Sequence, residues 1–284
     1  MANARQFVPN LKLKELQTMS DGVTVLLIGC GKMGGAMLAG WRTWPGFSGA
    51  VVEPKAPVDS GGAVTLYMDG ADLPADLQPD AVVVAVKPQE MDKVAPVYQR
   101  FVRPETVFLS IAAGKTIGSF EGYWGKDAAI VRAMPNTPAA VGRGVTVLVA
   151  NDRVSADQRG LCQRLLEAVG SVEWVEDEGL LDAVTAVSGG GPAYVFLLIE
   201  ALADAGVAAG LPRALSDAIA RATVEGSGEL SRQSAEAPET LRKNVMSPDG
   251  TTAEAVRVLD AADGIRPLFE RAIAAATKRS RELA

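Results

Sequence analysis

The 284-residue sequence contains no histidine, and this absence restricts the chemistry that its sites can perform. A catalytic site in this chain must work without imidazole, the side chain that most often exchanges protons near neutral pH. A bound metal is not expected either, because histidine ligands are missing and the carboxylates show no ligand spacing. The sequence therefore favours a site made of hydroxyl groups and backbone amides.

Cysteine and basic runs are also scarce. Cys30 and Cys162 are too few for a disulfide framework, and neither lies in a CxxC pair. This predicts a reducing compartment, the cytoplasm. The net charge is −6 and the pI is near 5.0, so neither nucleic acid nor an anionic membrane is an expected partner.

Long apolar runs are missing as well. The first twenty residues lack the apolar segment of a signal peptide, and we interpret residues 1–21 as an N-terminal extension. The most apolar stretch, 193–202, is interrupted by Glu200 and followed by Asp204. It is too short and too charged to span a bilayer, so no membrane association is expected.

Short apolar runs alternate with segments of helical period in the first part of the chain. This pattern, which ends near Trp174, predicts a doubly wound parallel sheet of the Rossmann type over residues 22–177. We predict a first helix over 33–44, and strands over Val23–Ile28, 50–53, 81–86, 106–111, 129–133 and 145–150.

The remainder, residues 178–284, carries almost only helical signals. Apolar positions between 194 and 211, and again between 214 and 230, occupy more than one helix face. A domain of about a hundred residues has little interior in which to bury such faces. A helix that is apolar nearly all round is buried on several sides, so we expect a second copy of the chain to cover it. The alternative is a monomeric bundle with an alanine-rich core.

A glycine fingerprint, GCGKMG at 29–34, follows the first predicted strand and opens the first predicted helix. This is the context that dinucleotide binding requires. Gly29 permits the tight turn, Gly31 lets a pyrophosphate approach the backbone, and Gly34 lets helix and strand pack closely. Free N–H groups at the start of the helix would hold the anion.

The dinucleotide type is ambiguous in the sequence. Glu53, at the end of the second strand, is placed to accept hydrogen bonds from the adenosine ribose, which favours NAD. Lys55 follows two positions later and is placed to pair with the 2′-phosphate of NADP. Alternatively, Glu53 is only a solvated strand end.

Three further loops follow predicted strands, at the edge where open sheets bind ligands. Lys87, in AVKP at 85–88, is a candidate contact for ribose or phosphate, or else a surface lysine before a helix. Small side chains in IAAG at 111–114 leave room for a flat ring. Asn136, in MPNTP at 134–138, is either a carboxamide ligand or a turn former.

Two polar segments lie in the helical part. Thr185 stands shortly before a run of glycines and a long apolar helix. In SPDGTT at 247–252, the spacing from Thr251 to Glu254 is that of a capping box, which predicts a helix start at Thr251. Hydroxyls and free amides at that helix start suit a small carboxylate. The alternative is a capped helix without a ligand.

Taken together, these segments resemble pyrroline-5-carboxylate reductase, the last enzyme of proline biosynthesis. The SGGGPAY–LPR stretch and the SPxGTT turn are much more specific than the glycine fingerprint. The matching segments run in the family's order from about Val25 to the C-terminus: IGCGKMGGAML, AVKP, SIAAG, RAMPNTPAAVGRG, DAVTAVSGGGPAYVFLLIEALADAGVAAGLPR and NVMSPDGTTAEAVRVL.

The resemblance implies a dinucleotide-binding domain over 22–177 and an all-helical dimerisation domain over 178–284. It also implies a homodimer or a higher homo-oligomer of dimers, with NADPH as cofactor and NADH as the alternative. The substrate would lie between the nicotinamide of one subunit and the helices of the other.

By motif match, Thr185 is the candidate catalytic residue, because it resembles the residue that hydrogen-bonds the ring nitrogen. The candidate substrate-binding residues are Asn244, Val245, Ser247, Gly250, Thr251 and Thr252. The candidate cofactor-binding residues are Gly29, Gly31, Lys32, Met33, Gly34, Glu53, Lys55, Val86, Lys87, Pro88, Ala112, Ala113 and Asn136.

Two positions depart from the family pattern. Gly190 stands where the family often has serine, which removes one hydroxyl near the substrate. Asp249 stands where the family usually has glycine. Asp tolerates left-handed backbone better than most residues, and we predict that Asp249 points to solvent, since an inward carboxylate would repel the substrate.

Two alternative functions stay open in the sequence. A β-hydroxyacid dehydrogenase needs a general base, and that family carries a lysine after a glycine pair on its interdomain helix. Here residues 192–198 contain no lysine, which leaves only Tyr194 or the distant Lys243 as substitutes. The other alternative is a nucleotide-binding dimer without turnover, against which Thr185 and the 247–252 turn argue.

Overall fold

The computed structural model describes residues 22–55 and 63–283, so the predicted extension over residues 1–21 lies outside the described part of the chain. The chain divides into two compact units, with the division between Leu181 and Asp182.

The described residues of the first unit form one eight-stranded sheet with the order β3-β2-β1-β4-β5-β6-β7-β8. Neighbouring strands run parallel, except that β6 and β7 are antiparallel. The strands are β1 (Val23–Ile28), β2 (Phe47–Val52), β3 (Val64–Tyr67), β4 (Ala81–Val84), β5 (Val107–Ser110), β6 (Ala129–Met134), β7 (Gly144–Ala150) and β8 (Gly170–Trp174).

Helices connect these strands and make up the second unit. Those of the first unit are α1 (Lys32–Trp41), α2 (Met91–Val94), α3 (Ile117–Trp124) and α4 (Ala156–Glu167), with 3-10 helices at Gly70–Asp72, Pro88–Glu90, Ala95–Phe101 and Thr137–Val141. Next come α5 (Leu180–Val184), the π segment (Thr185–Gly189), α6 (Gly191–Ala208), α7 (Arg213–Gln233), α8 (Pro238–Asn244), α9 (Thr251–Leu259) and α10 (Ile265–Leu283).

The sheet is covered on both faces, which makes the first unit a three-layer structure. On one face, α1 and α4 pack in a cluster that contains Trp41, whose indole Nε1–H donates to the Leu165 carbonyl at 2.6 Å. On the other face, Phe108 of β5 packs against Trp124 with ring centroids 4.3 Å apart. The predicted Rossmann-type doubly wound sheet, followed by a helical region, is therefore confirmed.

The strand order also locates the edge where a ligand would bind. β2 and β4 flank β1 on opposite sides, and the chain winds in opposite directions from this central strand. In open parallel sheets, the crevice at the carboxyl ends of such strands is the usual ligand site. The glycine fingerprint follows β1 directly and so lies at this edge.

The structure corrects several predicted strands. β3 and β8 were not predicted, because both are short and only partly buried. β2 begins at Phe47 rather than at residue 50, since Phe47, Ser48 and Gly49 pair with β1 even though glycine is depleted in strands. β7 runs antiparallel to β6, because residues 135–143 are too few for a parallel crossover.

The second unit contains a close pair of helices. α6 and α7 approach through small residues: the Ser216 hydroxyl donates to the Ala203 carbonyl at 2.6 Å, and a Cβ on Gly206 would lie 2.1 Å from the Ser216 oxygen. Away from this contact, large apolar side chains of both helices are exposed in the single chain. They are Val195, Phe196, Leu197, Leu198 and Leu202 on α6, and Leu215, Ile219 and Leu230 on α7.

One helical run in the described residues, Leu180–Ala208, is long and apolar enough to cross a membrane by length and composition. It is longer than the apolar stretch at 193–202 because the π segment joins α5 to α6 without a break in the helix. The helix is therefore longer than the apolar stretch that the sequence argument considered. This is weak evidence of a span, since a core helix passes the same test.

Candidate functional site

The glycine loop at 29–34 has a shape that side chains at two positions would destroy. Gly29 has a φ of 85°, and a Cβ there would lie 2.9 Å from the Ala85 carbonyl oxygen. A Cβ on Gly34 would lie 2.3 Å from the Gly29 carbonyl oxygen. Both glycines are therefore needed for the turn itself and for the close packing of α1 on the end of β1.

Gly31 differs from the other two glycines because a Cβ there would meet no protein atom within 4 Å. Gly31 is the N-cap of α1 and has no side chain with which to accept a hydrogen bond from the first turn. The N-terminal amides of α1 thus face open space, where the helix dipole favours an anion. The residues present fit a bound pyrophosphate.

Lys32 and Met33 form the first turn of α1 and differ in their surroundings. The Lys32 side chain is exposed, whereas Met33 is partly buried and packs against the hydrophobic cluster under α1. A ligand at the glycine loop would therefore contact the backbone of Met33 more readily than its side chain.

The Glu53 carboxylate holds the glycine loop against the end of β2. Its Oε2 accepts the Cys30 N–H at 2.8 Å, and its Oε1 accepts the Lys55 N–H at 2.9 Å. The residue is 9% exposed, so the interpretation of Glu53 as a solvated strand end is wrong. Burial, followed by the nearby Glu53 charge, raises the pKa of the Cys30 thiol, which keeps that thiol protonated.

The Lys55 side chain pairs with an acid from another loop. Its Nζ lies 2.9 Å from Oε1 of Glu90, in the 3-10 helix that follows β4. This hydrogen bond raises the pKa of the Lys55 ammonium and lowers that of the Glu90 carboxyl, so both groups are charged near neutral pH. Nothing in the sequence indicated Glu90 as a partner.

The loop after β4 approaches the glycine loop closely. The Val86 side chain lies 3.1 Å from the position of a Cβ on Gly29 and packs against the hydrophobic cluster that contains Phe108. Lys87 is exposed and precedes Pro88, which begins the 3-10 helix. Lys87 is thus at the ligand-binding edge, with its side chain in solvent.

The loops after β5 and β6 are held by local hydrogen bonds. Ala112 is buried in the core, and its N–H donates to the Ser110 hydroxyl at 3.2 Å, whereas Ala113 is exposed. Oδ1 of Asn136 accepts the Val145 N–H at 2.9 Å and so fixes the connection between β6 and β7. The turn-forming role of Asn136 is therefore observed.

Thr185 is the first residue of the π segment, a feature that the sequence did not indicate. The Gly190 N–H donates to the Thr185 carbonyl at 2.9 Å, the five-residue spacing of a π-helix. Single π turns inside α-helices are rare and occur often at functional sites. The segment packs mainly against α6 and α10.

Tyr194 stabilises the π segment from the next helical turn. Its hydroxyl donates to the Ala186 carbonyl at 2.9 Å, and its ring lies edge-on to Phe269 of α10. A Cβ on Gly190 would lie 2.4 Å from the Tyr194 oxygen. The Tyr194 hydroxyl thus occupies the space that a serine at position 190 would need, which gives the Gly190 departure a structural reason.

The turn at 247–252 forms as the sequence suggested, with one correction. The Gly250 N–H donates to the Ser247 carbonyl at 3.1 Å, and Asp249 has a φ of 57° and is exposed, as predicted. α9 begins at Thr251, but its N-cap is Gly250 without a side-chain cap. Glu254 pairs with Arg257 instead, so the predicted capping box is wrong.

The remaining candidates lie just before this turn. Nδ2 of Asn244 donates to Glu236 at 3.2 Å, and Val245 is exposed at the end of α8. Ser247, Gly250, Thr251 and Thr252 are brought together by the turn itself. The glycine loop belongs to the first unit, whereas Thr185 and the 247–252 turn belong to the second.

Gly190→Ser is expected to lower the free energy of unfolding of the second unit by about 1–3 kcal/mol, since the new side chain displaces the Tyr194 hydroxyl. Denaturant unfolding followed by circular dichroism measures this loss. Gly191→Ala is the matched control, because a Cβ there meets nothing within 4 Å. Equal stability of the Gly190→Ser protein would contradict the assigned contact.

Comparison with known proteins identifies the family. Residues 178–283 match the family model described as pyrroline-5-carboxylate reductase dimerisation. The chain is 39% identical to the pyrroline-5-carboxylate reductase of Pseudomonas aeruginosa, over 92% of this chain and 96% of that protein. It is 36% identical to that of Pisum sativum, over 94% and 98% of the two chains.

Solved structures agree with the sequence comparison. The structure of a pyrroline-5-carboxylate reductase from Coxiella burnetii has a TM-score of 0.84 and 33% identity, and covers 92% of this chain and 98% of its own. The Plasmodium falciparum enzyme, solved with NADP bound, has a TM-score of 0.76 and 28% identity, with 93% and 98% covered. The chain belongs to the pyrroline-5-carboxylate reductase family.

Proposed function

We propose that this protein is a pyrroline-5-carboxylate reductase that converts 1-pyrroline-5-carboxylate to L-proline. The observation that carries the proposal is the match to relatives of that name over almost the whole chain, including both the glycine loop and the helical region. In the reaction, the C=N carbon gains a hydride and the ring nitrogen gains a proton. NADPH or NADH supplies the hydride from its reduced nicotinamide.

The dinucleotide site is the carboxyl edge of the sheet in the first unit. Gly29, Gly31 and Gly34 with the first turn of α1 would hold the pyrophosphate, since Gly31 leaves that space open. Glu53 and Lys55 lie at the ribose end. The residues proposed to border the rest of the cofactor are Lys32, Met33, Val86, Lys87, Pro88, Ala112, Ala113 and Asn136.

The substrate carboxylate is proposed to bind the turn at 247–252. The hydroxyls of Ser247, Thr251 and Thr252 and the amides at the start of α9 are hydrogen-bond donors of the kind a carboxylate accepts. A Cβ on Gly250 would lie 2.3 Å from the Ser247 oxygen, so glycine keeps this turn compact. Asn244 and Val245 are proposed to line the approach.

Thr185 is proposed to orient the ring nitrogen. An imine nitrogen is basic enough to be partly protonated near neutral pH, so solvent can supply the proton and a threonine hydroxyl only has to direct the nitrogen. The protein then acts chiefly by holding two reactants in register, an effect worth up to about 7–11 kcal/mol. Such a site has no need of the histidine that this chain lacks.

We propose that two copies of the chain form the functional unit, as a homodimer or a higher homo-oligomer of dimers in the cytoplasm. The exposed apolar residues of α6 and α7 support this assembly, because a surface of this kind is unusual on a monomer. The proposed domains are 22–177 for the dinucleotide and 178–284 for dimerisation and substrate.

The two residues that could serve as the base of a rival dehydrogenase are both engaged in other contacts. The Tyr194 hydroxyl donates a hydrogen bond to the Ala186 carbonyl, and Nζ of Lys243 lies 2.6 Å from Oε1 of Glu239. Neither group is placed to remove a proton from a substrate alcohol. No observation favours a dimer without turnover.

The purified protein is expected to oxidise NADPH or NADH when pyrroline-5-carboxylate is added, and not to reduce NADP+ or NAD+ when 3-hydroxyacids are offered. Absorbance at the nicotinamide band follows the reaction. Turnover of a 3-hydroxyacid would favour the dehydrogenase, and absence of turnover with every substrate would favour the non-catalytic dimer.

Thr185→Ala is expected to lower kcat by at least about tenfold, equivalent to 1.4 kcal/mol of transition-state stabilisation, because the ring nitrogen loses its hydrogen-bond partner. Dinucleotide affinity should persist, as a fluorescence titration would show. Thr185→Ser keeps the hydroxyl and is the control. Wild-type kinetics in the alanine variant would remove Thr185 from the mechanism.

Gly31→Val is expected to weaken dinucleotide binding by at least about tenfold, because its side chain enters the space next to the α1 amides. Gly35→Ala is the matched control in the same helix, since its Cβ would lie 3.7 Å from the Cys30 carbonyl, an ordinary contact. The dissociation constants come from fluorescence titration, with thermal unfolding to check the fold. Equal affinity of the two variants would show that the pyrophosphate binds elsewhere.

A further inference from the structure

Three charged groups meet at the ribose end of the glycine loop. Glu53 follows β2, Lys55 follows it two residues later, and Glu90 lies in the 3-10 helix after β4. β1 lies between β2 and β4, so the 2.9 Å ion pair of Lys55 with Glu90 joins the segments that follow the two strands flanking β1.

Glu53 presents a fixed negative charge at this end of the loop. Two backbone amides, of Cys30 and Lys55, hold its carboxylate oxygens, and the residue is almost fully buried. Each carboxylate oxygen can accept more than one hydrogen bond. The group can therefore still accept hydrogen bonds from ribose hydroxyls, but it repels a phosphate.

The segment that directly follows β2 supplies little positive charge to offset a 2′-phosphate. Such a phosphate usually has an arginine beside it. The segment from 54 to 62, PKAPVDSGG, contains no arginine and only one basic residue, Lys55. That lysine is already paired with Glu90, so the set of Glu53, Lys55 and Glu90 carries a net charge of −1. The more distant charges of Lys87 and Lys93 act on Glu90 and lower the pKa of its carboxyl.

We infer that this reductase selects NADH over NADPH, with Glu53 as the acceptor for the adenosine ribose hydroxyls and Glu90 as the residue that holds Lys55 away from a 2′-phosphate. The inference rests on the proposed function and assigns its cofactor. The sequence alone left Glu53 and Lys55 in conflict, and the Lys55–Glu90 contact resolves that conflict in favour of Glu53.

Direct binding to the full-length protein tests this selection without turnover. The quenching of protein fluorescence is titrated with NADH and with NADPH at low ionic strength. The expected result is a dissociation constant for NADH at least about tenfold lower than that for NADPH, because a like charge placed close to the phosphate disfavours it strongly. Competition by 5′-AMP should likewise exceed competition by 2′,5′-ADP.

Glu90→Gln isolates the role of the ion pair. The variant releases Lys55, so NADPH should bind about threefold more tightly while NADH affinity changes by less than about twofold; the gain is small because exposed charges are screened. Asp92→Asn is the matched control. It removes the same charge two residues later, but Asp92 pairs with Lys115 at 3.1 Å rather than with Lys55. Its NADPH to NADH ratio should equal that of the wild type.

The outcomes separate this inference from the proposed function. Equal or tighter binding of NADPH by the wild type overturns the selection and leaves the reductase function standing. An unchanged ratio in Glu90→Gln overturns the role given to Glu90. Binding of neither dinucleotide overturns the proposed function together with the inference. Glu53→Gln is a secondary variant, because its loss of charge also loosens the glycine loop.

Discussion

The contact between Gly34 and the Gly29 carbonyl is the constraint on which the first unit depends. Only a hydrogen atom fits between the helix and the loop at this point, since a Cβ would lie 2.3 Å from the carbonyl oxygen. This contact places the N-terminus of α1 directly at the end of β1, between β2 and β4. The amides of the first turn then face the open space at Gly31, so the packing of backbone on backbone creates the anion site.

Charge at this edge is arranged by backbone groups and a few carboxylates. Glu53 ties the glycine loop to the end of β2 by accepting the Cys30 N–H, and it also accepts the Lys55 N–H. The Lys55 side chain is paired with Glu90. A chain without histidine can still organise a site in this way, because amides and hydroxyls orient a ligand without changing their own protonation state. The proposed reaction makes the same demand, since imine reduction requires orientation more than a strong base.

In the second unit, the candidate catalytic residue Thr185 lies in a local irregularity of a helix rather than at the edge of a sheet. The π segment begins at Thr185, and Tyr194 holds it through the Ala186 carbonyl. Position 190 needs glycine, because a side chain there would occupy the space of the Tyr194 hydroxyl. The sequence placed Thr185 before a glycine run but did not indicate the widened turn, since a π segment has no residue pattern distinct from that of an α-helix.

The sequence by itself determined the strands of the central sheet, the glycine fingerprint and the turn at 247–252, because each depends on local periodicity or on conformations that glycine and Asp249 tolerate. Short edge strands such as β3 were missed, since they carry too few residues for a periodic signal. Only the tertiary structure decided the direction of β7 and the pairing of Lys55 with Glu90. Both features depend on contacts between segments that are distant in the sequence, and the local sequence does not specify such contacts.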